Sequence, residues 1–348
     1  MIHRISIEDF QKRTDPLPVV DVRAPAEFAH GHLPGAHNIP LFSDEERARV
    51  GTTYKQQGRE AAILLGFDLT GSKWSGFIRQ ALELAPQKRL LLHCWRGGMR
   101  SSAMAWALDL YGFEIYLLQG GYKNYRRWVL RQWERPYSFW VIGGNTGSGK
   151  TEILHQLKGR GEQIVDLEAL AQHQGSTYGS LNRLVQPTQE QFENELAQTL
   201  SGLDRGKPAW IEDESQNLGS CLLPNPFWLQ IKKAFHFDLQ MPLEQRITAL
   251  VKEYGSLDKD FLIACTERIK KRLGPEQTKN AIIAIREDRM ADFIRQVLVY
   301  YDKTYRRGLA GIDPACIASV FVATHDAEDN AQLMLRAAEI RKPTVITA

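Results

Sequence analysis

Two stretches of this chain carry residues whose types and spacing can do chemistry on anions. The first is Cys94-Trp95-Arg96-Gly97-Gly98-Met99-Arg100-Ser101, a cysteine at the head of a glycine-containing loop that closes on an arginine and a hydroxyl. Such a loop aims several backbone N–H groups at one point, which favours a thiolate at Cys94 and an oxyanion beside it. Cys94 and Arg100 are therefore the candidate nucleophile and clamp, with Arg96, Gly97, Gly98 and Ser101 as loop support. The second stretch, Gly144-Asn145-Thr146-Gly147-Ser148-Gly149-Lys150-Thr151, matches the phosphate-cradling pattern G-x-x-x-x-G-K-[ST]. Its glycines let N–H groups converge on phosphate, Lys150 adds a positive charge, and the Thr151 hydroxyl reaches Mg²⁺ where one is bound. One loop offers a nucleophile, the other a cage.

Both loops need a strand before them, and the sequence supplies one each time: Arg89-Leu90-Leu91-Leu92-His93 ahead of Cys94, and Phe139-Trp140-Val141-Ile142 ahead of Gly144. Further strand candidates run from Val19 to Arg23, Gln163 to Leu167, Ala209 to Ile211, Ala234 to Leu239 and Ser319 to Ala323, with helix-patterned stretches such as Gly76 to Leu84 between them. This alternation predicts an α/β protein with parallel sheets and helical crossovers. A length of 348 residues is too great for one small core and implies two domains. The break falls at Arg135-Pro136, so the expected domains are 1–137 and 138–348. Residues 243–307 are polar, helix-prone and without strand pattern, and read as a helical insertion in the second domain.

Acidic and polar residues at strand ends extend the second site. Asp166 closes one strand candidate and is a candidate catalytic acid. Glu212-Asp213-Glu214 follows Ala209-Trp210-Ile211, where a metal-holding carboxylate would sit, and makes Asp213 and Glu214 candidate substrate contacts; an acid-rich first turn of a helix is the plain alternative. His173 and Ser176 are placed to line the mouth of the same sheet. Between Tyr122 and Arg135, Lys123, Arg126 and Arg127 interleave with Tyr125 and Trp128. Cations with stacking rings suit single-stranded RNA, and an amphipathic helix with its rings packed inward explains the same pattern. A net charge of +3 does not decide between them.

Composition excludes several classes. A hydrophobic fraction of 43% supports ordinary cores, yet no run of about 18 apolar residues exists to span a membrane, and Met1-Ile2-His3-Arg4 lacks the apolar stretch of a signal peptide. A cytoplasmic location without a membrane partner is the expectation. The four cysteines show no CxxC spacing, so neither a zinc site nor a disulfide framework is indicated and no tightly bound cofactor is expected. The metal requirement stays open, as does ATP or GTP at Lys150. Because His93-Cys94-(X)5-Arg100 is also the pattern of cysteine-dependent phosphatases, the first loop alone does not separate sulfur transfer from phosphate ester hydrolysis. A phosphatase fused to a nucleotide-binding, kinase-like domain is one alternative, and a nucleotide-gated RNA-binding module with an inactive first domain is another.

Val20-Asp21-Val22-Arg23, Glu27-Phe28, the run from Gly31 to Pro40 (GHLPGAHNIP) and the Cys94 loop together resemble a rhodanese domain. The loop departs from many small rhodaneses in placing its arginine one residue further from the cysteine, which leaves room for a tetrahedral oxyanion. A rhodanese domain followed by Gly144 to Thr151, His173-Gln174-Gly175-Ser176 and Glu212-Asp213-Glu214-Ser215 resembles the tRNA 2-selenouridine synthase family over nearly the whole chain. The resemblance implies a rhodanese-like domain followed by a P-loop, kinase-like parallel-sheet domain. It also implies a reaction: the sulfur of a 5-substituted 2-thiouridine at the wobble position of tRNAs for lysine, glutamate and glutamine is replaced by selenium. The co-substrates implied are geranyl diphosphate, which S-alkylates the base, and selenophosphate, which supplies the selenium; a selenophosphate-producing enzyme is an expected partner. On that footing Lys150 and its loop hold the diphosphate, Cys94 with Arg100 accepts selenium and releases phosphate, and Lys123, Tyr125, Arg126, Arg127 and Trp128 grip the anticodon loop.

Overall fold

The computed structural model describes residues 1–173, 178 and 185–341, and these gather into two compact units. The first unit comprises Met1–Gln132 together with Glu190–Gln198; the second takes the chain from Trp133 to Gln189 and from Thr199 onward.

The first unit is built on one parallel sheet of β1 (Ile2–Ile5), β2 (Val19–Asp21), β3 (His37–Asn38), β4 (Arg89–His93) and β5 (Glu114–Leu118), in the order β1-β5-β4-β2-β3. Leu90 to His93 and Ile115 to Leu118 are buried in unbroken succession, as expected of parallel strands covered by helices on both faces. Val20, Leu92, Met104, Leu108, Phe113 and Ile115 form the centre of the core. The helix Met99–Leu110 leaves the loop after β4, and the helix Gly121–Gln132 follows β5.

The second unit repeats the principle with a different order. Strands β6 (Phe139–Gly144), β7 (Ile164–Val165), β8 (Ala209–Glu212), β11 (Phe235–Gln240) and β12 (Ile317–Phe321) form a parallel sheet in the order β12-β11-β6-β8-β7. A short antiparallel pair, β9 (Asn217–Leu218) and β10 (Cys221–Leu222), stands outside it. β6 lies at the centre, so the loop after it opens at the middle of the sheet's carboxyl edge, where α/β folds bind ligands. Ile142, Leu154, Trp210, Phe237, Leu239 and Met334 pack around it. Between β11 and β12 the chain is helical, in Leu243–Tyr254, Lys259–Arg268, Lys270–Leu273, Pro275–Arg286 and Met290–Leu309, with a core of its own from Leu250, Leu262, Ile285, Phe293 and Val297. The expected insertion is present and runs two residues beyond its predicted end. Among the described residues, no helix is long and apolar enough to cross a membrane.

Candidate active site

In the first unit, β4 ends by delivering Cys94 to the start of the loop, and the loop turns into the helix Met99–Leu110 at Gly98. The turn depends on glycine: Gly97 has φ +64°, and a Cβ there would lie 2.8 Å from the Leu118 carbonyl oxygen. Gly121, φ +59°, lets the start of the next helix press on the loop backbone, where the N–H groups of Tyr122 and Lys123 donate to the carbonyls of Cys94 and Trp95. The loop's own N–H groups at the helix amino terminus have no intrahelical acceptors, which makes the cradle an anion site. Cys94 is 3% exposed, with its Sγ 3.1 Å from Ser101 Oγ, and that hydroxyl is also 3.1 Å from the Gly98 carbonyl. One hydroxyl proton cannot serve both. Donated to Gly98 it leaves the Ser101 oxygen to accept from a thiol, and turned toward Sγ it stabilises a thiolate.

Arg100 is already engaged. Its Nη1 donates to Glu27 Oε2 at 2.6 Å, and burial, which pushes the Glu27 carboxyl up, is outweighed by that contact so that the group stays below its ordinary range. Glu27 also accepts from the Ala24 N–H, so Arg100 is anchored to the start of the helix Pro25–His30. Only part of the guanidinium's five-donor fork is used, which leaves donors for an anion. Beneath the loop, Asp21 and Arg23 form a wholly buried ion pair at 2.6 Å, Arg23 donates to the Gly31 carbonyl and lies over the Tyr122 ring at 3.8 Å. His93 beside it is wholly buried, and desolvation holds it below its usual range; burial pushes the Asp21 carboxyl up, but the neighbouring His93 and the Arg23 guanidinium outweigh it and hold the group below its ordinary value.

In the second unit, Gly144, Gly147 and Gly149 all take positive φ, and the helix Lys150–Gly159 starts from the left-handed Gly149. This presents the first-turn N–H groups of Lys150 and Thr151 to a ligand. Lys150 Nζ donates to the Gly144 carbonyl at 3.2 Å, folded back across its own loop. Thr151 Oγ1 lies 2.6 Å from Glu212 Oε1 and 3.1 Å from Glu168 Oε2. Burial first, then mutual repulsion with Glu168 and Glu214, pushes the Glu212 carboxyl well up; burial and Glu168 push Glu214 up to about 8; and burial pushes up Glu168. Thr151 can donate to only one carboxylate, so a proton shared within the cluster completes the bonding. Glu212 Oε2 is buried with no hydrogen-bond partner among the described residues. A divalent cation fits this donor set, but among the described residues no three acidic, histidine or cysteine side chains converge to hold one alone. Thr151, one carboxylate and the oxygens of a bound phosphate would hold it together.

The cavity above this loop has a volume of about 830 Å³ and is walled by Lys150, Glu168 and Glu214 on one side and by Leu250, Glu253 and Tyr301 of the helical insertion on the other. The insertion is tied to the loop by Arg246, which donates to the Thr146 carbonyl at 3.1 Å while gripping Asp302 at 2.9 and 2.7 Å. A Cβ on Gly147 would meet Leu250 at 2.9 Å, so this glycine is needed for the close approach as well as for its turn.

Several sequence expectations change here. Asp166 caps the helix Leu167–Ala171 through the Ala169 N–H and pairs with His155 at 2.6 Å, so both of its carboxylate oxygens already have partners. Asp213 is held by Lys232 at 2.7 Å, and it is Glu212 at the end of β8, with Glu168, that meets Thr151. Glu214 keeps its place beside the cavity. His173 donates its backbone N–H to the Glu168 backbone carbonyl, just past the end of the helix Leu167–Ala171, while its buried ring Nδ1 has no partner among the described residues. Ser176 lies outside the described residues. In the helix Gly121–Gln132, Tyr125 is wholly buried and Trp128 is 6% exposed, so neither ring is open to a base; Arg126 is bound to Glu193 and Asn194. The inward-packed helix is correct, and only Lys123 and Arg127 of the five candidates point to solvent. Glu168 and Arg246 were missed, since nothing in their local sequence marks them, and Glu27 stood only in the rhodanese-like pattern with no role beside Arg100; each acquires its partner from elsewhere in the chain.

Comparison with known proteins agrees with both halves. A family model for a rhodanese-like domain matches residues 6–127, and one described as the tRNA 2-selenouridine synthase AAA domain matches residues 137–319. Proteins named tRNA 2-selenouridine synthase from Nitrosomonas europaea, Hydrogenovibrio crunogenus and Marinobacter nauticus are 41%, 36% and 36% identical over 68%, 83% and 75% of this chain. The aligned parts span 63%, 88% and 76% of those relatives, so the chain covers just under two thirds of the first one's length. With the family's own domain over more than half of its residues and a relative matched along most of both lengths, the chain belongs to the tRNA 2-selenouridine synthase family.

Proposed function

We propose that this protein replaces sulfur by selenium at the wobble 5-substituted 2-thiouridine of tRNA, by S-geranylation from geranyl diphosphate and displacement with selenium from selenophosphate. The observation that carries the reading is the pairing, in one chain, of a cysteine set in an amide cradle with a P-loop whose hydroxyl meets the buried Glu212 carboxylate. Each half-reaction needs one of them.

In the first half, the thiocarbonyl sulfur attacks C1 of the prenyl chain, the C–O bond breaks, and the electron pair leaves with diphosphate. Lys150 and the first-turn amides stabilise that leaving charge. A cation held at Thr151 would add charge neutralisation there. In the second half, the C2–S bond of the S-geranyl base is the one to break, because an alkylated sulfur departs as a thiol. Selenium in selenophosphate is already at the selenide level, so a cysteine-bound selanyl group with release of phosphate would call for an oxidant that neither substrate supplies. Attack of the Cys94 thiolate on phosphorus balances: the P–Se bond breaks, hydroselenide is freed to add at C2, and water returns phosphocysteine to thiol and phosphate. Arg100 and the cradle amides suit the phosphoryl group in that step.

The test is mass analysis of tRNA nucleosides after incubation with geranyl diphosphate and selenophosphate, each alone and together, joined to analysis of the Cys94 peptide. S-geranyl-thiouridine with the first alone, selenouridine with both, and a phosphorus-bearing adduct on Cys94 without a selenium isotope pattern are expected. Phosphate release from simple esters without RNA modification would favour the phosphatase reading instead.

A further inference from the structure

The first unit holds a second cavity that the cradle chemistry does not use. It has a volume of about 540 Å³, lies against the helices Asp44–Gln57, Arg59–Thr70 and Met99–Leu110, and is walled by Phe42, Ile63, Phe67, Trp74, Met99 and Trp106. Its apolar walls stay open: Phe67 is 56% exposed, Met99 50% and Trp106 58%. Large apolar side chains grouped on a surface in this way mark a binding site. Among the described residues its only charged wall residues are Arg59 and Arg100, with no acid among them, and Arg59 has no ion-pair partner there. An apolar chamber with a purely cationic rim fits a hydrocarbon chain carried by an anionic molecule.

Arg100 links the chamber to the chemistry. It lines this cavity and also closes the Cys94 loop, and Met99, Ser102, Ala103 and Trp106 along the same helix form one wall. We propose that this cavity holds the geranyl chain of the S-geranylated nucleoside during selenation, so that the displaced geranylthiol leaves into it. The inference rests on the two-step reading above. Hydroselenide adds at C2, the C2–S bond breaks, the electron pair stays on sulfur, and the thiolate takes up a proton. The chamber's part is to hold the chain, which sets the S-alkyl base beside the cradle and selects it over the unalkylated one.

Ala103→Phe tests this by filling the wall from within. With S-geranyl tRNA supplied ready-made and selenophosphate added, kcat/KM is expected to fall about tenfold or more, a size typical of a pocket that loses space for its ligand. Selenation of S-methyl tRNA, and geranylation of 2-thiouridine tRNA, are expected to stay within about twofold of the parent. Trp106→Ala, at an exposed position that tolerates truncation, is expected to weaken quenching of the protein's tryptophan fluorescence by geranylthiol and to raise KM for S-geranyl tRNA alone. Equal losses on S-geranyl and S-methyl substrates, or no loss on either, overturn the chamber while leaving the two-step reading in place. A parent protein that does not selenate ready-made S-geranyl tRNA overturns the reading itself, and the chamber's role with it.

Discussion

The Cys94 loop and the Gly144–Thr151 loop solve the same problem with opposite electrostatics. Both sit at the carboxyl end of a central parallel strand and lead into a helix amino terminus that offers backbone N–H groups. The cysteine cradle has its cation already balanced, with Arg100 on Glu27 and the buried charge below it closed off as Asp21–Arg23. The P-loop is instead backed by Glu168, Glu212 and Glu214, which cannot all ionise in a buried group. The difference teaches that the first site suits an anion alone, whereas the second suits an anion accompanied by a cation that would relieve the carboxylates.

Substitutions on each side test that contrast. The largest expected effect is Cys94→Ala, which abolishes selenation in the nucleoside assay while geranylation from geranyl diphosphate stays intact; loss of both activities from a folded variant would refute the division of labour. Lys150→Ala is expected to lower geranyl transfer by about 10²–10³-fold, the cost of removing one charge-stabilising donor. Selenation of tRNA supplied already geranylated is expected to hold, and unchanged geranyl transfer would remove the cage from the mechanism.

The acidic group makes a pH prediction whose sign follows from its raised carboxyls. A Glu214 group that titrates near 8 when folded, but at about 4.3 when unfolded, keeps its proton longer in the native state. Native protein then binds more protons across that window, so stability falls as pH rises from about 5 to 8, with a slope of at most about 1.4 kcal/mol per pH unit from one such group. Thermal melting at pH 5 and 8 checks it. Mg²⁺ with diphosphate is expected to flatten the profile and Glu212→Gln to reduce it; a melting temperature that climbs over that range would contradict the protonated cluster.

Two smaller effects concern the cations. Arg127→Glu, on the solvent face of its helix, is expected to weaken tRNA binding severalfold and to lower the log–log salt slope by about 0.7–0.9 for each phosphate left without its cation, read from binding at several salt concentrations. Glu27→Gln keeps an acceptor for Arg100 and removes its charge. A severalfold lower KM for selenophosphate with kcat little changed is expected, whereas a higher KM would show that Glu27 orients Arg100 more than it competes with the anion.

Local pattern made much of this legible. The apolar runs before Cys94 and Gly144 became β4 and β6, the phosphate-loop spacing appeared where a strand meets a helix, and the strandless stretch after Leu243 became the helical insertion. β5 escaped notice although it lies inside its sheet between β1 and β4, because Glu114-Ile115-Tyr116-Leu117-Leu118 is short and opens on a charged residue, and its burial comes from neighbours far away in the chain. The Tyr125 and Trp128 rings show the same limit: the spacing suits stacking on a base and packing into a core equally, and only the bodies around them select the second.

Residue type and spacing alone thus located the two glycine-containing loops, the candidate nucleophile and candidate cation on them, and the parallel α/β class, since each is a short-range relation along the chain. Tertiary structure decided which carboxylate meets Thr151, that Arg100 rests on Glu27, and that an apolar chamber opens beside the cysteine loop. The physical reason is that charge partnership and burial depend on distances between residues tens of positions apart, and those distances exist only once the sheets have brought their strands together.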